Sequence, residues 1–197
     1  MKKSVWLLGI LVPAVLILGC CGKRGDQPQA GAGKDLALKF LQGIQAGDKD
    51  KMYEAANLTA GIVNESREKL IRSKQNKLTD GQREDSEYAL RISGQIDFFL
   101  SKIRKMLPQS ASLQITQTKA KGLIGGSGNS VHFVRITYLS RDEAMRDKTG
   151  RPVREMVVHL QQINRTVNGR SLHEFSFEGK DFEKLADRDF EVLSYFQ

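Results

Sequence analysis

Cysteine is almost absent from the chain, and its placement excludes two kinds of site. The 2 cysteines, Cys20 and Cys21, are adjacent, and no cysteine follows them. A structural disulfide needs two thiols in the folded region, and a thiolate metal site needs thiols there as well. The sequence therefore excludes both from the region that follows Cys21.

The chain also lacks the short motifs that mark common catalytic and nucleotide sites. It has no Gly-x-Ser-x-Gly elbow, although Ser127 lies between two glycines. The glycine-rich stretch from Lys121 to Gly128 does not end in Gly-Lys-Ser or Gly-Lys-Thr, and it leads into a predicted strand instead of a helix. We therefore predict a hairpin loop at this stretch, and we predict no cofactor.

Basic residues are in excess, but they are scattered. The formal net charge is +8; without Lys2 and Lys3 the 31 basic residues become 29, against 23 acidic residues, which leaves +6. No Arg- or Lys-rich stripe alternates with aromatic residues, so no nucleic-acid partner is predicted. A basic exported domain is attracted to anionic headgroups, by about 1 kcal/mol for each Lys or Arg close to the surface.

Residues 1–19 are organised like a bacterial secretory signal. Met1-Lys2-Lys3 is positively charged, and Val5 to Leu18 is an apolar stretch of 14 residues, which is short for a membrane span. Its end, Ile17-Leu18-Gly19-Cys20, resembles the lipobox of bacterial lipoproteins, which implies cleavage before Cys20 and a diacylglyceryl thioether on its sulfur. Cys21 is the rival acceptor, but it would put a cysteine where Gly, Ala or Ser is expected. An uncleaved anchor helix is the other alternative.

Residues 20–33 hold four glycines besides Pro28 and no apolar periodicity, which predicts a flexible tether. Such a linker would hold the following domain roughly 20 Å from the lipid. The predicted location is the exported side of the cell membrane or the outer membrane. The membrane is thus the first predicted partner, reached through the lipid anchor.

Residues 34–197 are predicted to form a single domain whose first part, 34–107, is helical. A helix carrying Leu36, Phe40 and Ile44 ends at Gly47, and Asp48 caps a second, short helix. A third helix is predicted from Ala60 to Leu78. Thr79 and Gln82 then have the spacing of a capping box, before a fourth amphipathic helix that Pro108 stops. Its apolar positions are Ala89, Ile92, Ile96, Phe99, Ile103 and Met106.

After Pro108 the apolar period changes to two, which predicts strands within residues 111–178. They are Ser112 to Lys119, Val131 to Leu139, Val153 to Val167 and Ser171 to Phe177. Asn168-Gly169 is the sequence of a two-residue hairpin turn. The pairing that follows from this turn sets Leu160 opposite Phe177, Gln162 opposite Phe175 and Asn164 opposite His173. For residues 180–196 the pattern fits a helix or a helix followed by a strand.

The run from Ala37 to Asp48, Ala-Leu-Lys-Phe-Leu-Gln-Gly-Ile-Gln-Ala-Gly-Asp, and the closing set of long strands resemble the nuclear transport factor two-like (cystatin-like) cone fold. In particular the chain resembles small exported lipoproteins with that fold. The resemblance covers about Asp35 to Phe177. It implies an α+β domain with N-terminal helices packed on a curved antiparallel sheet of about four strands, and a pocket at the open end. It implies no single activity, because this fold hosts isomerases, dehydratases and inert scaffolds.

The candidate pocket residues are Gln162, Asn164 and His173, which share one sheet face, with Tyr138 as a fourth member if the strand order is sequential. In cone-fold enzymes a tyrosine hydroxyl and a carboxylate polarise a carbonyl and move a proton. Here Glu155 and Glu174 have the outward parity, so no carboxylate is assured on that face. His159 and His173 point to opposite faces, and no metal site is predicted.

The leading hypothesis is a non-enzymatic, lipid-anchored module that binds an envelope protein, a small ligand or an anionic polymer. The rival is an isomerase- or dehydratase-type enzyme that uses the cavity. A purely structural envelope component is a third reading, and a homodimer across the sheet face is a candidate assembly.

Overall fold

The computed structural model describes residues 30–73, 78–124, 127–167, 169–177 and 190–197. In these residues four α-helices precede an open antiparallel sheet of five strands, so the predicted α+β class is confirmed. The sheet has one strand more than predicted. The predicted signal segment, Cys20 and the first part of the predicted tether lie outside the described residues. No helix among the described residues is long and apolar enough to span a membrane.

Side-chain caps begin three of the four helices. Asp48, Thr59 and Thr79 each accept a hydrogen bond from a backbone N–H of the first turn, and Thr79 and Gln82 form the predicted capping box. The helices are α1 (Ala30–Ala46), α2 (Lys49–Ala55), α3 (Ala60–Arg72) and α4 (Asp80–Ser101), and a short 3₁₀ helix follows at Ile103–Met106.

Two helix ends differ from the prediction. Helix α1 begins at Ala30, inside the predicted tether, even though glycine is a weak helix former. Its buried face, which includes Phe40 and Ile44, supplies the packing that a propensity argument omits. Helix α3 ends at Arg72, six residues before the predicted end, and Ser73 closes it by donating its hydroxyl to the Leu70 carbonyl.

The sheet is built around one long strand. The strands are β1 (Ser112–Ile124), β2 (Ser127–Thr137), β3 (Val153–Val167), β4 (Arg170–Phe177) and β5 (Phe190–Tyr195). The order is β1-β2-β3, and the far edge of β3 pairs with β5 along its first half and with β4 along its second half. Residues Phe190–Tyr195 are therefore a strand, whereas residues 180–189 of the same prediction lie outside the described residues. Residues 121–124 and 127–128 of the predicted glycine-rich loop belong to β1 and β2.

The register of the β3–β4 hairpin is the one predicted from its turn. Leu160 pairs with Phe177, and Asn164 pairs with His173. Gly169 has a φ of +79°, a conformation that glycine adopts without steric cost.

The two sheet faces differ in what covers them. The inner face carries Val158, Leu160 and Phe175, and the helices pack on it. Phe40 of α1 stacks on Phe175 with 4.3 Å between ring centroids, and Phe99 of α4 meets Phe40 edge-on at 5.3 Å. The outer face carries the residues of opposite parity, such as Phe133 and His159.

A β-bulge at Thr116 controls which β1 side chains reach each face. Ile115 pairs with Val134, but the next partner of Phe133 is Gln117, so Thr116 is an extra residue. The extra residue reverses the alternation, because the side-chain period of a strand is two. Beyond the bulge Thr118 therefore lies on the inner face.

Candidate functional site

Five polar side chains form a continuous row across four strands on the inner face. Thr118 of β1 contacts His132 Nδ1 at 2.9 Å, and His132 Nε2 contacts Gln162 Oε1 at 3.0 Å. Gln162 Nε2 donates to Asn164 Oδ1 at 2.7 Å, and His173 Nδ1 contacts the same oxygen at 2.8 Å. We call Thr118, His132, Gln162, Asn164 and His173 the polar row.

The hydrogen bonds specify the proton positions in the polar row. Gln162 Oε1 and Asn164 Oδ1 are acceptors, so His132 Nε2 and His173 Nδ1 must be the donors. The neutral His132 ring then accepts the Thr118 hydroxyl proton at Nδ1. Burial lowers the pKa of His132, although its bond to Gln162 acts in the opposite direction, and burial also lowers the pKa of His173. Both imidazoles are therefore neutral at pH 7.

The start of α1 lies against the middle of the polar row. A Cβ placed on Gly33 would stand 3.6 Å from Gln162 Oε1, so the helix backbone packs directly on this amide. Gln162 is 1 % exposed and His132 is 0 % exposed. The middle of the row is thus buried, whereas Thr118, Asn164 and His173 are partly exposed.

The structure brings together three of the four predicted pocket residues and separates the fourth. Gln162, Asn164 and His173 are adjacent, as predicted. Tyr138 lies near the opposite end of the sheet, where its backbone N–H bonds to the Arg154 carbonyl. Eight residues of β3 separate that point from Gln162, about 26 Å at the rise of a strand. The Tyr138 hydroxyl donates to the Met106 carbonyl at 2.8 Å and is fully buried, so it is a core residue there.

Glu174 lies on the outer face, as its parity predicts, yet it is only 7 % exposed. Its carboxylate accepts hydrogen bonds from Tyr88, Arg91 and Gln95 of α4, at 3.1, 2.6 and 2.7 Å. Burial, followed by the Glu174 charge, raises the pKa of Tyr88 to about 12. These hydrogen bonds to Glu174 join α4 to the edge strand β4, and the Glu174 carboxylate faces away from the polar row.

The histidines do not converge on one point. His159 lies on the outer face, with its ring 4.6 Å from that of Phe133, whereas His132 and His173 lie on the inner face. Glu178, which the hairpin register would place opposite His159, lies outside the described residues. Among the described residues no three His, Cys, Asp or Glu side chains are grouped as metal ligands.

A pocket lies between α3, α4 and the tip of the β3–β4 hairpin, with a volume of about 210 Å³. Its polar lining comes from two buried serines, Ser66 and Ser86, and from Gln82. Ile62, Ala89 and Leu172 supply apolar walls. We call this cavity the α3–α4 pocket.

The α3–α4 pocket carries charges of both signs. Glu65 and Asp85 supply carboxylates, and Lys69 and Arg170 supply cations. Lys69 Nζ lies 2.6 Å from Glu65 Oε1, and this contact, with a further contribution from Arg170, lowers the pKa of Glu65. The lining thus holds two carboxylates and two cations, and their formal charges balance.

His132 and Thr118 were not predicted from the sequence as members of the site, and the α3–α4 pocket was not predicted either. His132 could have been placed only with the β2–β3 register, in which it pairs with Leu160 and so shares the face of Gln162. The one sequence signal for the pocket is the small number of apolar residues in α3, whose buried residues are Val63 and Ser66. No protein-family model and no curated protein sequence matches this chain.

Proposed function

We propose that this protein is a lipid-anchored lipoprotein of the bacterial cell envelope whose α+β domain is a non-enzymatic binding module of the cystatin-like cone type. The α3–α4 pocket carries the binding part of the proposal, because it combines a cavity, hydrogen-bonding serines and balanced charges. The lipobox-like Ile17-Leu18-Gly19-Cys20 supports the anchor.

The chain geometry limits how far the domain can stand from the lipid. Ala30, the first residue of α1, is ten positions after Cys20 in the chain. At most about 3.6 Å per residue, they span no more than roughly 36 Å. The domain therefore stays within about its own diameter of the membrane.

The same geometry orients the domain. Strands β1 and β3 end, and β2 and β4 begin, at one end of the sheet, which we call the hairpin end. Gly33 of α1 packs on Gln162, which lies five residues before Val167, the last residue of β3 at that end. An anchor attached ahead of α1 therefore brings the hairpin end, and with it the α3–α4 pocket, towards the membrane.

A structural role fits the polar row better than catalysis does. Gln162 Nε2 and His173 Nδ1 both engage Asn164, and the helix α1 covers the amide of Gln162. A general base needs a free lone pair within reach of substrate and a suitable pKa. Within the row, both ring nitrogens of His132, the amides of Gln162 and Asn164, and Nδ1 of His173 bond to one another, as in a core network that specifies the fold. The lone pair of His173 Nε2 is not used within the row, so a catalytic reading depends on His173.

The ligand that fits the α3–α4 pocket is small and carries both a negative and a positive group. A purely anionic ligand would meet Glu65 and Asp85, and a purely cationic one would meet Lys69 and Arg170. A zwitterion offers each side of the rim an opposite charge. A volume of about 210 Å³ admits a molecule of amino-acid or dipeptide size.

The anchor is tested by mass spectrometry of the N-terminal peptide from membrane fractions, with Cys20→Ser as the comparison. An acylated Cys20 at the mature N-terminus is expected, and it should be missing from the variant. A chain that still begins at Met1, or an unlipidated chain released to the medium, contradicts the anchor.

The pocket is tested by thermal unfolding of the protein with a panel of free amino acids and dipeptides. A ligand at about one hundred times its Kd stabilises the native state by about 2.7 kcal/mol, which raises Tm by roughly 5–10 °C at this size. The paired substitutions Glu65→Gln and Lys69→Gln should abolish the shift. Glu68→Gln with Arg72→Gln is the matched control, because it removes another exposed (i, i+4) pair of α3 that does not line the pocket. A panel without any stabilising member, or equal loss in both variants, rejects the site.

The isomerase-type alternative rests on His173 and has its own test. A His173→Ala variant that folds normally, measured beside the wild type against carbonyl substrates, should show no change because neither has turnover. Turnover in the wild type that disappears in the variant would favour the enzyme.

A further inference from the structure

Strands β1 and β2 contain no acidic residue, and the three Lys and Arg residues of these strands share one face. Lys119, Lys121 and Arg135 are these residues. Lys119 pairs with Val131 and Lys121 with Asn129, and both partners have the parity of Phe133 on the outer face. The outer face of the first hairpin is therefore positively charged.

The Thr116 bulge is what directs the lysines outwards. Ile115 faces the core, and without the extra residue every second residue after it, including 119 and 121, would face the core as well. Burying two ammonium groups there would cost far more than the fold can supply. With the bulge, Lys119 and Lys121 are exposed.

Aromatic side chains on the same face contact one of these cations. The Lys119 ammonium lies 4.7 Å from the centre of the Phe133 ring, and the His159 ring packs on the edge of Phe133. Arg135 is half-buried, and its Nε is a buried donor that has no hydrogen-bond partner among the residues that the structure describes. A donor without a partner is costly in a native structure unless a ligand satisfies it.

The three cations form a line. At the rise of a strand, Lys119 and Lys121 are about 6.6 Å apart along β1. Asn129, which pairs with Lys121, is six residues before Arg135 on β2, and this is a distance of about 20 Å. We call Lys119, Lys121 and Arg135 the basic track. The outer-face carboxylates of the described strands lie on β3, β4 and β5: they are Glu155, Glu174 and Glu191, and Glu174 is paired with Arg91.

We propose that the basic track binds an extended anionic polymer whose charges are phosphate groups. A line of separated cations on a strand surface matches a chain of repeated charges, whereas a single compact anion could reach Lys119 and Lys121 together but not Arg135 as well. The inference concerns the outer face of β1 and β2, and it holds whether or not Cys20 carries lipid.

The test measures binding of long-chain inorganic polyphosphate to the full chain in neutral detergent, by calorimetry at two salt concentrations. Loss of two phosphate contacts should make the affinity less sensitive to salt. When salt is raised from about 50 to about 200 mM, the factor by which binding weakens should be about sevenfold smaller than in the wild type. Lys119→Gln with Lys121→Gln should show this reduction. The control is Lys102→Gln with Lys105→Gln, which removes the same charge from exposed positions on the helical side and should retain most of the salt dependence.

Two results overturn the basic track. One is an equal effect of the two double variants, which would mean that only net charge matters. The other is displacement of polyphosphate by glycerol 1-phosphate at the same phosphate concentration, which would mean that the surface reads single phosphate groups, such as lipid headgroups. Circular dichroism of each variant shows whether lost binding reflects lost folding.

Discussion

The amide oxygen of Gln162 and the imidazole Nε2 of His132 are joined by a 3.0 Å hydrogen bond inside the protein. Both residues are almost completely shielded from solvent. A buried polar group that loses its partner keeps its desolvation cost, so removing one member of the polar row leaves its neighbours unsatisfied. The contribution of the row to the free energy of unfolding should therefore be measurable.

Replacing Gln162 by Leu should destabilise the protein by about 2–3 kcal/mol, because the His132 Nε2–H loses its acceptor in the interior. Urea denaturation measures this loss. Gln161→Leu is the control, since Gln161 is the next residue of β3 and its side chain is on the outer face; there the change should stay within about 0.5 kcal/mol. Equal losses in the two variants would show that the polar row does not stabilise the fold.

Stability should fall as the pH decreases below about 6.5. The folded-state pKa values of His132 and His173 lie below the ordinary 6.5, so between the two values the unfolded chain binds more protons than the native one. The stabilisation is complete above about 6.5 and is lost as the pH falls towards the folded-state values. The free energy of unfolding at pH values from about 7.5 to about 5 measures the slope.

Variants of the histidines show which residues cause this dependence of the free energy of unfolding on pH. His132→Gln and His173→Gln should each flatten it, and the double variant should flatten it most. A slope that persists when both inner-face histidines are replaced would place its origin elsewhere.

Phe40→Ala should cost about 3–5 kcal/mol, because Phe40 is the ring that joins α1 to both β4 and α4. Phe98→Ala provides the matched control on α4, since Phe98 is 42 % exposed and should cost about 1 kcal/mol or less. Thermal or urea unfolding distinguishes the two. Similar losses would mean that the α1–sheet contact contributes little beyond ordinary surface burial.

Arg91→Ala should destabilise the protein by about 1–2 kcal/mol, because it leaves the buried Glu174 carboxylate without its cation. The value is moderate because half of the Arg91 side chain is exposed, and solvent screens such a pair. Arg72→Ala removes an exposed (i, i+4) partner of Glu68 and should cost only about 0.3–0.5 kcal/mol. If the two costs are equal in urea denaturation, Glu174 does not depend on Arg91.

Local chemistry made several elements predictable. The Thr79 and Gln82 capping box, the Asp48 cap and the β3–β4 register all follow from residues that are close in the chain. A two-residue turn leaves the strands on either side only one pairing, so the adjacency of Gln162, Asn164 and His173 could be deduced. Tyr138 could not be placed in this way, because no tight turn joins β2 to β3.

Long-range pairing decided the rest. The sequence by itself determined the helices, the four strands and the hairpin that aligns Asn164 with His173, since each depends on periodicity, caps or one short turn. Only the tertiary structure decided that His132 completes the polar row, that Phe190–Tyr195 pairs with β3, and that the Thr116 bulge turns Lys119 outwards. The physical reason is that a strand's side chains alternate with a fixed period of two, so one extra residue, invisible in the local pattern, reassigns every later side chain to the other face.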